Sequence, residues 1–273
     1  MKIYISADIE GISGVVNRTQ TSPSQHNYDR ARKLMTGEVN AAVIGAKAAG
    51  AKEILVNDSH GPMTNILIEE LDEDARLISG NQKLLGMMEG VDESYDGVLL
   101  IGYHAKHNTP GVLAHSYHSG VLYEIKVNGR ILGEFEFNSL IAGYYNVPVV
   151  LVSGDNILAQ QVKDFNERIE RIIVKNAHSR YTADCLQPKK VHQLLKEQVE
   201  KVLKEKKKLI EPCILKGEVE LEVTFLNSAM AEICLLVPGV EMVAPNSVKY
   251  KAKDILEAYK VRSALTTLAA STL

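Results

Sequence analysis

The sequence predicts an α/β fold: a mostly parallel central sheet with helices on both faces, followed by a smaller C-terminal α+β part. Three observations carry this expectation. KIYISA, EILVND, GVLLIGYHA and VPVVLVSGDN are nearly continuous apolar runs that each end among Gly, Asp, Asn or His. Strands apolar on both faces belong to parallel sheets covered on both sides, and segments of helical period alternate with them as such sheets require. After residue 155 the pattern shifts to amphipathic helices and a strictly alternating strand.

The elements follow in order. KIYISA reads as a strand from its Ile and Tyr content. A polar loop with Pro23 leads to YDRARKLMTGEVNAAVIGAKAAG, where Ala31, Leu34, Met35, Val39, Ala42, Val43 and Ala46 recur at helical spacing and Gly50 ends the helix. EILVNDSHG, GVLLIGYHA and VPVVLVSGDN repeat the strand with a polar exit. In such sheets chemistry collects at the carboxyl ends of strands, where these exits fall. VLYEIKVNGRILGEFEF is centred on Asn128-Gly129, a hairpin-turn signal, and the run from Glu134 to Tyr145 turns helical. Helical period is then expected in QVKDFNERIERIIV and again from Lys189 to Ile210, with an apolar stripe of Val191, Leu194, Leu195, Val199, Val202 and Leu203. VELEVTF alternates as a half-buried strand, and Asp254 to Leu268 is helical. The change of pattern, near residues 155–175, divides the chain into 1–160, the domain expected to carry the chemistry, and a smaller α+β domain, 161–273.

Composition narrows the function classes. With 273 residues, 45% apolar content and a formal charge of -3, the chain is long enough for a full core and lacks the positive excess of a duplex-binding surface. The lysines at 204–208 share their helix with Glu197, Glu200 and Glu205, the mark of a solvated face. Cys185, Cys213 and Cys234 form neither a disulfide framework nor a CxxC pattern, so free thiols and a reducing, cytoplasmic setting are expected. No targeting peptide is visible, and no apolar run approaches the roughly 18 residues of a spanning helix.

The chemistry-bearing residues concentrate at the strand exits. Asp8 and Glu10, in SADIEG, lie at i and i+2 and share one side of an extended segment, where they repel unless a cation sits between them. His60 follows the second apolar run and His104 the third. Glu134 is the fifth candidate: with a two-residue turn at Asn128-Gly129, hairpin pairing would set it opposite Tyr123 on an apolar face. A buried carboxylate there needs a partner, whereas a strand-end glutamate in water is the competing reading. Three carboxylates and two imidazoles suit two divalent ions, one carboxylate bridging, and the mixed donors favour zinc, manganese or cobalt over magnesium or calcium. Two ions about 3.5–4 Å apart activate a water and clamp an oxyanion. Neither a P-loop nor GxGxxG follows the first strand.

The motifs SADIEG at 6–11, VNDSHG at 56–61, GYHA at 102–105, TPGVLAHS at 109–116 and NGRILGEFEFN at 128–138 together resemble the zinc-dependent D-aminopeptidase family of the bacterial dipeptide-operon type, over almost the whole chain. The resemblance implies that Asp8 bridges two zinc ions completed by Glu10, His60, His104 and Glu134. It makes His115 the catalytic residue, with a general-base role easier to defend than a nucleophilic one. It also implies a homo-oligomer, a ring-stacked decamer whose internal chamber admits short peptides. Glu136 stands where the family is expected to carry a small residue, which would alter pocket shape or charge. Asp58 or Ser59 is expected to orient His60. The expected reaction is release of the N-terminal residue from a short peptide, with a D preference. The competing classes are a two-metal hydrolase of another amide or a phosphoester, and a scaffold whose ions are structural.

Overall fold

The computed structural model describes residues 1–273, the side chain of Lys206 excepted. The chain runs β1 (Lys2–Ala7), α1 (Tyr28–Ala48), β2 (Glu53–Asp58), β3 (Ala75–Ile78), β4 (Gly97–Ile101), β5 (Leu122–Val127), β6 (Arg130–Ile131), α2 (Glu134–Tyr144), β7 (Val149–Asp155) and α3 (Asn156–Phe165). It continues through β8 (Glu170–Ser179), β9 (Thr182–Cys185), α4 (Pro188–Lys201), β10 (Val219–Phe225), α5 (Ser228–Cys234), β11 (Val240–Ala244), β12 (Ser247–Ala252) and α6 (Ile255–Ala270).

Seven strands form the main sheet in the order β3-β2-β1-β4-β7-β8-β9, parallel except for the last pair. From β1 the chain winds outward through β2 and β3. From β4 it winds the other way through β7 and β8, so the order reverses between β1 and β4. That reversal leaves a crevice at the carboxyl ends of β1 and β4, the place where open α/β sheets bind ligands. Because parallel crossovers are right-handed, α1 and the α2–α3 pair fall on opposite faces. Helix α4 packs on α1. Strands β1, β4 and β7 are buried almost throughout, which is why they read as continuous apolar runs.

The smaller sheet is antiparallel in the order β11-β12-β10-β5-β6, and α5 and α6 pack on it. VELEVTF alternates buried and half-buried residues, as expected. The Asn128-Gly129 turn is a two-residue loop with φ of 50° and 76°, closing Val127 against Arg130. The change of pattern near residue 160 does not separate the sheets. β8 and β9 belong to the main sheet, and β5 and β6 belong to the smaller one.

Two local expectations are corrected. QVKDFNERIERIIV is helical only as far as Phe165; Asn166 takes an extended conformation, and Ile172 to Val174 join a strand beside β7. Short apolar runs fit both periods, and here the β-branched residues with an open sheet edge decide. Pairing of the β5–β6 ladder stops at Ile131, so Glu134 does not face Tyr123 across a hairpin. It is the first residue of α2 instead.

Candidate metal centre

Two glycines decide whether the exits of β1 and β4 can meet. Gly11 donates its N–H to the Gly102 carbonyl at 2.7 Å, and Asp8 donates to the Ile101 carbonyl at 2.8 Å. A Cβ on Gly11 would collide with the Tyr103 and Gly102 carbonyls, and one on Gly102, whose φ is +71°, with the Asp8 carbonyl. The glycine of SADIEG therefore lets one exit press on the other, carrying Asp8 and Glu10 to His104. His60 comes from the exit of β2, on the far side of β1. Glu134 reaches the same point from the start of α2, and His115 from the loop after β4.

The structure brings all six side chains together. His60 Nδ1 lies 3.2 Å from Asp8 Oδ1 and 2.9 Å from Glu10 Oε2. His104 Nε2 lies 3.5 Å from Asp8 Oδ2 and 3.3 Å from Glu134 Oε1. Asp8 thus turns one oxygen toward each imidazole. His115 stacks on His104 with centroids 4.1 Å apart, its Nε2 3.9 Å from Glu134 Oε1. Two triads of donor atoms fall within 4.8 Å: Asp8, Glu10 and His104, and His104, His115 and Glu134.

Backbone carbonyls fix the three rings. His60 Nε2 meets the Thr21 carbonyl at 2.6 Å, His104 Nδ1 that of Ala105 at 2.9 Å, and His115 Nδ1 that of Leu113 at 2.9 Å. A carbonyl can only accept, so each of these nitrogens carries the proton. The inward-facing nitrogens are His60 Nδ1, His104 Nε2 and His115 Nε2, each of which offers a lone pair whenever its ring is neutral. The partner of His60 is therefore Thr21, not Asp58 or Ser59. Asp58 instead accepts from Asn65 and Ile66 and holds the loop after β2. Glu134 accepts from the Tyr117 N–H. Glu136 turns back to accept from the Gly133 N–H at 2.8 Å, the glutamate half of a capping box, so it does not shape the cleft as expected.

The ionisable groups here are strongly coupled. Asp8, Glu10 and Glu134 are all buried beside His60 and His104, so each group's charge is set by its neighbours. Burial, then the neighbouring Glu10, pushes Asp8 up to about 8. Burial alone would lower His104, yet Glu134 beside it drives the ring up to about 10. Burial would raise Glu10 and Glu134, but the imidazoles beside them hold both carboxyls below their usual range. Burial, then His104, pushes His115 down to about 4. Glu10 Oε2 and His104 Nε2 are buried without a hydrogen-bond partner. Buried carboxylates and imidazoles that converge on one point fit divalent cations. The centre forms the floor of a cleft of about 1160 Å³.

A largely parallel sheet with candidate metal-binding residues gathered at its reversal point is the arrangement of an α/β metalloenzyme, and the comparisons with known proteins give the reaction class. The D-aminopeptidase family profile, peptidase M55, matches residues 1–264. The chain belongs to this family of metal-dependent aminopeptidases. It is 40% identical to the D-aminopeptidase of Bacillus subtilis (strain 168) over 273 residues, covering 100% of this chain and 99% of that protein. Among solved structures, the Zn-dependent D-aminopeptidase DppA from Bacillus subtilis, described as a self-compartmentalizing protease, superposes with a TM-score of 0.96. The two chains are 39% identical, and the match covers 99% of this chain and 98% of that one.

Three residues that shape the site carry no sequence expectation. Lys175 is buried in β8 and donates to the carbonyls of Glu10, Ile12 and Val15. Its signal was a charge inside the apolar run RIIVK. Tyr117 and Arg262 line the cleft, and neither belongs to a recognisable motif. The three cysteines are free, as expected. No helix among the described residues is long and apolar enough to cross a membrane.

Proposed function

We propose that this chain is a binuclear aminopeptidase that removes the N-terminal residue of short peptides with a preference for D stereochemistry. One ion would be held by Asp8, Glu10 and His60, the other by Asp8, His104 and Glu134. Zinc suits the mix of imidazole and carboxylate donors. The observation that carries the reading is Asp8, whose two oxygens address two separate imidazoles within 3.5 Å. When bound, such a pair supplies Lewis acidity at the scissile carbonyl, an anchor for the free amino group and an activated water.

The chain's own residues do the rest. The carbonyls of Thr21 and Ala105 hold two lone pairs inward and so preorganise the donor set. His115, protonated on Nδ1 by its bond to Leu113, presents a neutral Nε2 beside Glu134. In its neutral form the ring can take a proton at Nε2 and return it to the leaving amine. The self-compartmentalizing description of the relative supports a homo-oligomer that closes the cleft to all but short peptides, and we take its size to be the decamer that the family resemblance implies. Free thiols suit a cytoplasmic setting.

The donor triad of His104, His115 and Glu134 favours a second reading, with His115 as a ligand. One experiment separates them. Wild type and His115→Ala are loaded with zinc, assayed on paired D- and L-aminoacyl peptides, and analysed for metal. The general-base reading expects two ions per chain in both proteins and turnover reduced about 10²–10⁴-fold in the variant. Metal lost together with activity makes His115 a ligand, and wild type inactive on every peptide ends the proposal.

A further inference from the structure

Arg262 is a buried cation of the cleft that has aromatic neighbours but, among the described residues, no counter-charge. It sits on α6, lines the cleft and is only 5% exposed. Among the described residues it makes no ion pair, and its Nε has no hydrogen-bond partner. A guanidinium does not shed its proton, so neutralising itself is not open to it as it is to a buried lysine. A buried charge left in this state is costly unless a counter-charge arrives.

Aromatic rings hold the group without satisfying it. Its Cζ lies 3.5 Å from the Tyr117 ring centroid and 4.5 Å from that of Tyr259. Both hydroxyls donate to Asn138 Oδ1, at 3.2 and 2.9 Å, which fixes the rings. The two rings stand at 83° to each other, so they cannot both lie flat on the guanidinium, and Arg262 also hydrogen-bonds the Tyr259 side chain. The group is held in place yet still lacks a counter-charge, which a carboxylate would supply through charge-assisted hydrogen bonds.

Position and competition narrow the ligand further. Tyr117, which the guanidinium stacks on, donates its backbone N–H to Glu134. One residue therefore separates Arg262 from the metal centre. Lys83, the cleft's lysine, already donates to Asn57 Oδ1, the Asp58 carbonyl and the Ile78 carbonyl. Cleavage of the first bond of a short peptide places an anion close to the reacting centre, at the far end of the same molecule. We infer that Arg262 binds the free C-terminal α-carboxylate of the peptide and so selects unblocked dipeptides and their near relatives. This subsite rests on the aminopeptidase reading for its ligand, though its recognition can be measured without turnover.

The probes are a reduced-amide isostere of D-alanyl-D-alanine, which the enzyme does not hydrolyse, and its C-terminal carboxamide. Each is titrated calorimetrically into the zinc-loaded wild type, Arg262→Met and Arg262→Lys. Charge-assisted hydrogen bonding predicts that wild type binds the acid about tenfold to a hundredfold tighter than the amide. Arg262→Met should erase that ratio, and Arg262→Lys should keep part of it. The ratio is internal to each protein, so a general loss of affinity does not mimic the effect, and wild type alone tests it should the methionine variant fail to fold. Equal binding of acid and amide by wild type, or an unchanged ratio in Arg262→Met, overturns the proposal. A preserved ratio in wild type that cleaves no peptide would overturn the aminopeptidase reading and leave the carboxylate site supported.

Discussion

The two halves of the candidate centre are built differently. Around Asp8, Glu10 and His60 the main chain does the holding. Lys175 draws the carbonyls of Glu10, Ile12 and Val15 around one ammonium at 2.5–3.0 Å, and the Thr21 carbonyl pins His60. Around His104, Glu134 and His115 the support comes from a helix start and a ring stack. Glu134 begins α2, where the helix dipole favours negative charge, and His104 lies flat against His115. The first half is clamped by a cation with every donor engaged. The second carries a donor in excess, because His115 adds a third lone pair beside Glu134. Binding sites gain from the first design, and on the general-base reading proton transfer needs the second, where one imidazole would stay free of the ligand set.

Asp8 is the hinge of this comparison and carries the largest expected effect. Asp8→Ala removes the only side chain that addresses both imidazoles, so both halves should lose their ions together, with activity falling below detection. Elemental analysis after gel filtration checks it. Two tightly held ions in that variant would show that the halves are independent sites and that the bridge does not exist.

Much of the first half was legible in the sequence, because a strand buried on both faces announces itself as an unbroken apolar run and its polar exit stands out. Asp8, Glu10, His60 and His104 all lie at such exits. For Glu134 the turn at Asn128-Gly129 and the helix start are as expected, but the ladder stops at Ile131, so the pairing with Tyr123 that argued for its burial does not form. Main-chain acceptors such as Thr21 and Ala105 leave no mark in side-chain identity, so the orientation of the rings was not readable. Lys175 was hidden because IERIIV fits a helix as well as a strand until a neighbour such as β7 exists. The short edge strand β3 and the largely exposed β11 lack any clear burial period. Arg262 lay within an expected helix, but which face meets the cleft depends on how α6 packs against α2.

The clamp on the first half gives the next prediction. Lys175→Met nearly conserves volume but leaves three buried carbonyls without their shared donor. Each unsatisfied acceptor costs about 1–3 kcal/mol, partly recovered by relaxation and by removing a buried charge. A net loss of roughly 3 kcal/mol is expected, or about 6–12 °C in melting temperature for a chain of this size. The effect should be lopsided, with one of two ions becoming easy for a chelator to remove while the ion near Glu134 persists. Thermal melts alongside chelator-resolved metal release measure both. Simultaneous release of the two ions would mean that the clamp serves the whole fold and not one half.

Glu136 provides the smallest and sharpest contrast, because it lies only two residues from Glu134 yet faces another way. Its carboxylate accepts from the Gly133 N–H and lies 3.5 Å from Lys106 Nζ. Glu136→Ala removes a capping interaction worth about 0.5–1 kcal/mol, so the melting temperature should fall by roughly 1–4 °C. Turnover per bound ion should stay within about twofold of wild type, since the group neither lines the cleft nor touches the donors. A large fall in kcat with unchanged metal content would show that the start of α2 is held less by its own capping than by tension across Glu134. The helix start would then count as part of the catalytic apparatus, and the second half would be as tightly clamped as the first.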